Sequence, residues 1–158
     1  MIRANIADPD FAFDDDDPPG FRAGMFRLGR VLPAERLGAT LYLLPPGEAL
    51  CPMHWEAGEE EWLLVLEGRP TVRHAGGADD LAPWDTVCFP AGPQGVHQVR
   101  NDTDQPVRVL LWSNVEYPAV TVYPDSDKVG AHFGDRSQNL MVRRSSGVDY
   151  YAGEAEGR

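Results

Sequence analysis

Short β-forming runs, separated by proline, glycine and aspartate, extend along most of the chain and constrain its fold more than any other feature. The runs cover residues 38–44, 62–66, 70–74, 86–89, 96–100, 107–112 and 119–123. No long window keeps a helical period, and the 14 prolines and 16 glycines would break most helices. Regularly spaced short strands are typical of sandwiches and barrels. We therefore predict an all-β protein.

Alternate residues of a strand point to opposite faces of its sheet, so the runs also predict an interior. The sets that we expect to line it are Glu61, Leu63 and Val65, then His97, Val99 and Asn101, and then Leu37, Ala39, Leu41 and Leu43.

Length and charge limit the classes of partner. With 158 residues the chain is long enough for one domain with its own core. The net charge is -11 and only one of the 14 basic residues is lysine, which disfavours phosphate backbones and anionic membranes. We predict neither a nucleic-acid nor a membrane partner.

Cys51 and Cys88 form no C-x-x-C pair and are too few for a disulfide framework. Residues 1–11 lack the apolar core of a signal peptide, and no apolar run approaches the roughly 20 residues of a membrane span. We therefore expect a cytoplasmic protein with reduced thiols.

Composition also divides the chain into three parts. Residues 8–20 contain six aspartates and three prolines with little to bury, so we expect residues 1–20 to form an extended, solvated acidic arm. Residues 21–135 would form the β-barrel, and residues 136–158 a strand and tail that packs on the barrel or on a partner.

Two segments carry the residues of a metal site. In the first, His54, Glu56 and Glu61 precede an apolar run that ends at Gly68. In the second, a Pro/Gly turn leads to His97 at the start of another strand run.

These segments resemble the two motifs of the cupin superfamily. The first motif is H-x-H followed by three or four residues, then E, six residues and G. The second motif is G-x5-P-x-G-x2-H-x3-N. The positions that match are His54, Glu61, Gly68, Pro90, Gly92, His97 and Asn101. Three positions depart from the pattern. Glu56 replaces the second histidine, Trp84 replaces the glycine that opens the second motif, and four residues instead of two separate Gly92 from His97. We expect the last two departures to change only turns.

The flanking phrases are similar to those of small single-domain bacterial cupins of uncharacterised function. The resemblance implies a double-stranded β-helix (jelly-roll) barrel, usually a homodimer, that holds one divalent metal ion. Its ligands here would be His54, Glu56, Glu61 and His97, with Glu60 as a rival of Glu61. Manganese, iron, zinc and nickel are all candidates, and oxygen ligands favour manganese or iron.

Glu56 leaves two mechanisms open. As a fourth ligand it would bring the formal charge of the centre to zero, and the ion would polarise a bound carbonyl or water less strongly. Unbound, it would leave a set of two histidines and one carboxylate and could act as a base.

The barrel would bind or transform a small polar organic molecule, as an isomerase, an epimerase or a dioxygenase. The alternative is a non-catalytic small-molecule-binding or sensing module, with or without metal.

Aromatic and basic side chains offer less specific signals. We expect Trp55, Trp62, Trp84 and Trp112 to serve packing. One arginine among Arg69, Arg73, Arg100 and Arg108 could point inward and hold a substrate carboxylate.

Overall fold

Twelve β-strands account for nearly all of the regular structure in the computed structural model, which describes residues 1–154. The strands are β1 (Gly24–Arg27), β2 (Leu37–Leu44), β3 (Trp55–Glu56), β4 (Glu61–Glu67), β5 (Thr71–His74), β6 (Gly77–Asp80), β7 (Thr86–Phe89), β8 (His97–Arg100), β9 (Val107–Asn114), β10 (Ala119–Tyr123), β11 (Lys128–His132) and β12 (Leu140–Arg143). Single 3-10 turns cover Leu28–Arg30, Pro93–Gly95, Pro124–Ser126, Arg136–Gln138 and Arg144–Ser146. The all-β prediction is confirmed, and each of the seven predicted runs forms a strand.

The strands form the two walls of a jelly-roll barrel. One wall is a five-stranded sheet in the order β1-β2-β9-β4-β7. The other wall contains a four-stranded sheet, β12-β11-β10-β3, and a three-stranded sheet, β6-β5-β8. An antiparallel bridge between His54 and His97 joins these two smaller sheets. The second wall is therefore continuous at the point where the two sequence motifs meet.

The hydrophobic core lies between the walls. Leu63 and Val65 of β4 are fully buried, as is Val109, which pairs with Val65 across the sheet. Val72 and Val99, from the facing wall, belong to the same apolar cluster. Burial of side chains of this size contributes about 1.5–3 kcal/mol each. The predicted inward faces of β4 and β8 are thus correct.

The predicted inward face of β2 was wrong. Tyr42 pairs with the inward-facing Val109 and Leu44 pairs with Val107, so the even-numbered residues of β2 face the interior. Leu41 is fully buried on the opposite side, where its partner is Phe26. The outer face of β2 is covered as well, so its side chains are apolar, and the apolar alternation indicated the wrong face as the interior.

Part of the N-terminal arm provides this cover. Ala12 forms a β-bridge with Met25, and a Cβ added at Gly24 would lie within 3.1 Å of the Phe11 and Phe13 side chains. Arg108 donates to the carbonyl of Ile6 at 2.7 Å. Residues 6–13 therefore rest on the outer face of the large sheet, while the aspartates at 14–16 are exposed. The expectation of a wholly solvated arm is corrected for its apolar residues.

Trp84 departs from the role we expected for it. Its φ is +78°, in the left-handed region that favours glycine, and the residue is 74% exposed. The turn that it forms is nevertheless kept, because its backbone N–H donates to the Val65 carbonyl at 2.8 Å. Trp84 thus occupies the motif's glycine position in the glycine conformation, and the prediction that it packs was wrong.

Candidate metal centre

The two motif histidines lie directly opposite each other. The backbone N–H of His54 donates to the His97 carbonyl at 3.0 Å, and the N–H of His97 donates back at 2.8 Å. The imidazole centroids are 4.6 Å apart, and both residues are buried. Cross-strand partners project from the same face, so this bridge directs both rings into the barrel.

Backbone carbonyls fix the orientation of both imidazoles. Nδ1–H of His54 donates to the Pro52 carbonyl at 3.1 Å, and Nδ1–H of His97 donates to the Gly95 carbonyl at 2.9 Å. Phe89 stacks on the His97 ring with a centroid separation of 3.6 Å. Because Nδ1 of each ring is directed at a carbonyl, each Nε2 faces the interior, as in metal-bound histidines.

The carboxylate of Glu61 completes a group of three. Its Oε2 lies 3.5 Å from His54 Nε2 and 3.4 Å from His97 Nε2, and the ligand atoms of the three residues all lie within 4.8 Å of one another. This oxygen is buried, and no hydrogen bond reaches it from the residues that the structure describes. Buried polar atoms without a partner are rare and call for an explanation.

A divalent cation fits this arrangement. Ligand atoms about 2.1 Å from one ion, at a tetrahedral angle, lie about 3.4 Å from each other. The separations of 3.4 and 3.5 Å between the Glu61 oxygen and the two imidazole nitrogens match that value. A cation would also satisfy the orphaned oxygen.

The charges of the three residues are strongly coupled. Burial opposes protonation of His54, but the neighbouring Cys51 and Glu61 outweigh it and raise the His54 pKa to about 11. Burial, followed by the charge on His54, lowers the His97 pKa to about 4. Burial also opposes ionisation of Glu61, yet its contact with His54 lowers the Glu61 pKa. Without metal the group therefore holds one proton, in the place where a cation would bind.

Glu56 lies beside this group without joining it. It pairs with Thr121 across β3 and β10, and the Thr121 hydroxyl donates to Glu56 Oε2 at 2.7 Å. Its Oε1 lies 3.7 Å from His54 Nε2. Burial raises the pKa of Glu56 to about 7. One oxygen of this carboxylate is therefore held by the barrel wall, and the other faces His54.

Two tyrosines border the site and were missed from the sequence. The Tyr123 ring is stacked 6.1 Å from the His54 ring, and Tyr42 lies on the inward face of β2. Burial raises the pKa of both phenols to about 12, so both remain hydrogen-bond donors at neutral pH. Tyr42 lies two positions before Leu44 and therefore shares its face of β2, but only the register showed that this face points inward.

Three of the four candidate arginines have partners outside the site. Arg73 pairs with Asp125, Arg100 pairs with Asp102, and Arg108 contacts the N-terminal arm. These interactions hold the three guanidinium groups away from the histidines. Asn101, the last residue of the second motif, closes a turn, because its buried side-chain oxygen accepts from the Thr103 N–H.

Among the residues described, no helix is both long and apolar enough to cross a membrane.

Comparison with known proteins identifies the family. The model of the cupin domain matches residues 40–113, which include all four predicted ligands. A provisionally assigned sugar phosphate isomerase from Acidithiobacillus ferrooxidans has a similar structure, with a TM-score of 0.75 and 24% identity, covering 83% of this chain and 82% of that one. A cupin described as a sugar phosphate isomerase from Silicibacter pomeroyi is 27% identical, with a TM-score of 0.73 and 78% coverage of both chains.

More distant likeness extends to other chemistry. The polyketide cyclase RemF from Streptomyces resistomycificus has a TM-score of 0.60 and 22% identity, covering 75% of this chain and 83% of that one, and shares the fold. No curated protein matches the chain. The protein belongs to the cupin superfamily, as the motifs predicted.

Proposed function

We propose that this cupin binds one divalent metal ion through His54, Glu61 and His97 and isomerises a small hydroxycarbonyl compound. The observation that carries the proposal is the buried Oε2 of Glu61, which lies between two imidazole nitrogens without a hydrogen-bond partner among the described residues. Two imidazoles and one carboxylate would leave a formal charge of +1 on a divalent ion. Manganese and iron suit this mixed set of nitrogen and oxygen ligands.

Glu56 would move the proton in this reaction. When bound, the metal would act as a Lewis acid that polarises the substrate carbonyl. Glu56 Oε1 would take a proton from the hydroxyl-bearing carbon next to that carbonyl and return it to the carbonyl carbon, while the hydroxyl proton passes to the carbonyl oxygen, so that no oxidant or reductant is needed. Thr121 supports this role because its hydroxyl holds Oε2 and leaves Oε1 free to face the site.

The comparisons support isomerisation. Two of the structures most similar to this chain are described as sugar phosphate isomerases, one of them provisionally. A second candidate is oxygenation, because two histidines and one carboxylate are also the ligands of non-haem iron oxygenases. Oxygen uptake with iron-loaded protein would distinguish the two reactions.

Metal analysis and isotope exchange test the proposal. Protein purified without chelator should contain about one divalent ion per chain, His97→Ala should lose it, and His132→Ala should keep it, since His132 lies outside the group of three. Small aldoses and ketoses incubated with protein in D2O should gain deuterium next to the carbonyl. Glu56→Gln should keep the metal and lose the exchange. Metal-free protein, or a Glu56→Gln variant with full exchange, would contradict the proposal.

We also propose that the chain forms a homodimer in the cytoplasm and has a small molecule as its main partner. Apolar side chains of the C-terminal segment support the dimer. Leu140, Met141 and Val142 of β12 are 40–54% exposed, and Tyr150 and Tyr151 further along are 72–89% exposed. A second copy could cover this surface. Cys51 and Cys88 are free thiols, as suits a reducing compartment.

A further inference from the structure

A small cavity of ≈150 Å³ lies beside the metal centre at one end of the large sheet. Glu61 forms part of its wall, and about a fifth of the Glu61 side chain remains exposed. A cavity of about this volume has room for about six non-hydrogen atoms. The residues that contribute inward-facing side chains or space are Gly38, Thr40, Tyr42, Glu61, Leu111 and Ser113.

Strand register explains why these residues share one wall. Ser113 of β9 pairs with Gly38 on one side and with Glu61 on the other, so the three form a row across the sheet. Thr40 and Tyr42 follow Gly38 along the inward face of β2. On the inward face of β4, Glu61 is the next residue after Leu63, so the row lies just beyond the packed core.

Gly38 supplies the space. It has no side chain, and an added Cβ would approach the Ser113 hydroxyl at 3.8 Å and a methyl of Val115 at 3.2 Å. A larger residue would place its further atoms toward the cavity. The backbone of Gly38 is not in the left-handed region, so a side chain there causes no backbone strain.

The polar groups of the cavity are mostly hydroxyls. Thr40, Tyr42 and Ser113 contribute them, and Glu61 is the only charged residue among the described residues that line the cavity. No lysine, arginine or histidine lines the cavity within residues 1–154. Ser113 lies in the cavity wall, where its hydroxyl can bond a ligand. A wall of this kind suits an uncharged ligand that carries hydroxyl groups, because none of the residues that line it offers a cationic side chain to pair with a phosphate or carboxylate.

We propose that this cavity binds the uncharged, hydroxyl-bearing end of the substrate and that Tyr42 and Ser113 determine specificity for it. The inference rests on the proposed function and narrows its substrate class to polyhydroxylated carbonyl compounds of about six non-hydrogen atoms at this end. A charged group of a larger substrate would lie outside this cavity.

Two small ketones serve as matched probes. Dihydroxyacetone and 3-pentanone have the same number of non-hydrogen atoms, and they differ in that two hydroxyls of the first are methyl groups in the second. Binding to the protein is measured by ligand-observed NMR titration, with and without manganese. Wild-type protein should bind dihydroxyacetone about tenfold more tightly than 3-pentanone, since unmatched buried polar groups penalise the apolar probe.

Three variants report on the cavity itself. Tyr42→Phe and Ser113→Ala each remove one hydroxyl and should weaken dihydroxyacetone binding about fivefold, the effect of one hydrogen bond, with little change for 3-pentanone. Gly38→Leu should exclude both probes. Tyr117→Phe is the control, because Tyr117 is 64% exposed and lies outside the cavity. A melting curve of each variant establishes that it is folded.

The outcomes separate this inference from the proposed function. Equal affinity of the two probes, no dihydroxyacetone binding by wild-type protein, or unchanged binding in Gly38→Leu would overturn the inference even when metal is bound. Hydroxyl-dependent binding by protein that holds no metal, or that shows no exchange, would support the cavity and contradict the isomerase.

Discussion

Trp84 offers a direct test of how this chain keeps a cupin turn without the motif's glycine. Its φ of +78° is a conformation that side chains with a Cβ adopt at a disadvantage, and only a quarter of its surface is buried. We compare Trp84→Gly with Trp84→Ala. Both variants lose the same indole contacts, so the difference between them isolates the backbone conformation.

The sign of that difference is opposite to the usual one. At an ordinary position alanine is more stable than glycine by about 0.5–1 kcal/mol, because glycine loses more freedom on folding. At a left-handed position alanine carries a conformational penalty of about 1–2 kcal/mol that glycine avoids. The two effects together should make Trp84→Gly more stable than Trp84→Ala by about 0.5–1 kcal/mol, or about 1–4 °C in Tm for a chain of this size.

Urea denaturation followed by circular dichroism measures this difference. Ala78 of β6 provides the matched control, because it is exposed and lies in an extended strand, so Ala78→Gly should be less stable than wild-type protein. The hydrogen bond from residue 84 to the Val65 carbonyl is made by the backbone and remains in both variants. If Trp84→Ala equals or exceeds Trp84→Gly in stability, the backbone argument is refuted.

Three further predictions concern the site, the core and the assembly. Cys51 and the Glu61 carboxylate outweigh burial, raise the pKa of His54 to about 11 and so keep it protonated. Binding of manganese should therefore release about one proton, and the affinity for manganese should fall about tenfold for each unit by which the pH is lowered. Calorimetry in buffers of different ionisation enthalpy measures the proton release, and a release of zero would contradict the coupling. Asn101→Ala should lower the free energy of unfolding by about 3 kcal/mol, because the fully buried amide donates to the carbonyls of Leu44 and Gln105 at 2.9 and 2.8 Å. Thermal denaturation measures the loss, with Asp102→Ala at the neighbouring exposed position as the control. Equal losses of stability in the two variants would refute the account. Met141→Arg should convert the proposed homodimer to a monomer, as measured by light scattering. Val31→Arg is the control, since Val31 is similarly exposed but lies outside β12, and it should leave the dimer intact. A dimer that survives Met141→Arg would exclude β12 from the interface.

The sequence was sufficient for the class of fold and for most of the candidate site. Strand-forming runs between prolines and glycines predicted seven strands that the structure contains, because period-two patterns and breakers act over a few residues. The spacing of His54, Glu61 and His97 from Gly68 and Pro90 identified three side chains that the barrel does bring together. Four strands were missed, among them β3 with two residues and β6 with the exposed sequence Gly-Ala-Asp-Asp, since neither shows an apolar period. The remaining strand, β12, lies within residues 136–158, where we expected a strand and tail.

Tertiary structure decided the questions that depend on which strands lie side by side. Pairing of β2 with β9 placed Tyr42, rather than Leu41, on the inward face and so created the hydroxyl-lined wall beside Glu61. Pairing of Glu56 with Thr121 held that carboxylate beside the three candidate ligands, and no local spacing contains this contact across 65 positions. Residue spacing determines what a strand can present, but register and burial are long-range properties, and they decide which neighbours each side chain meets.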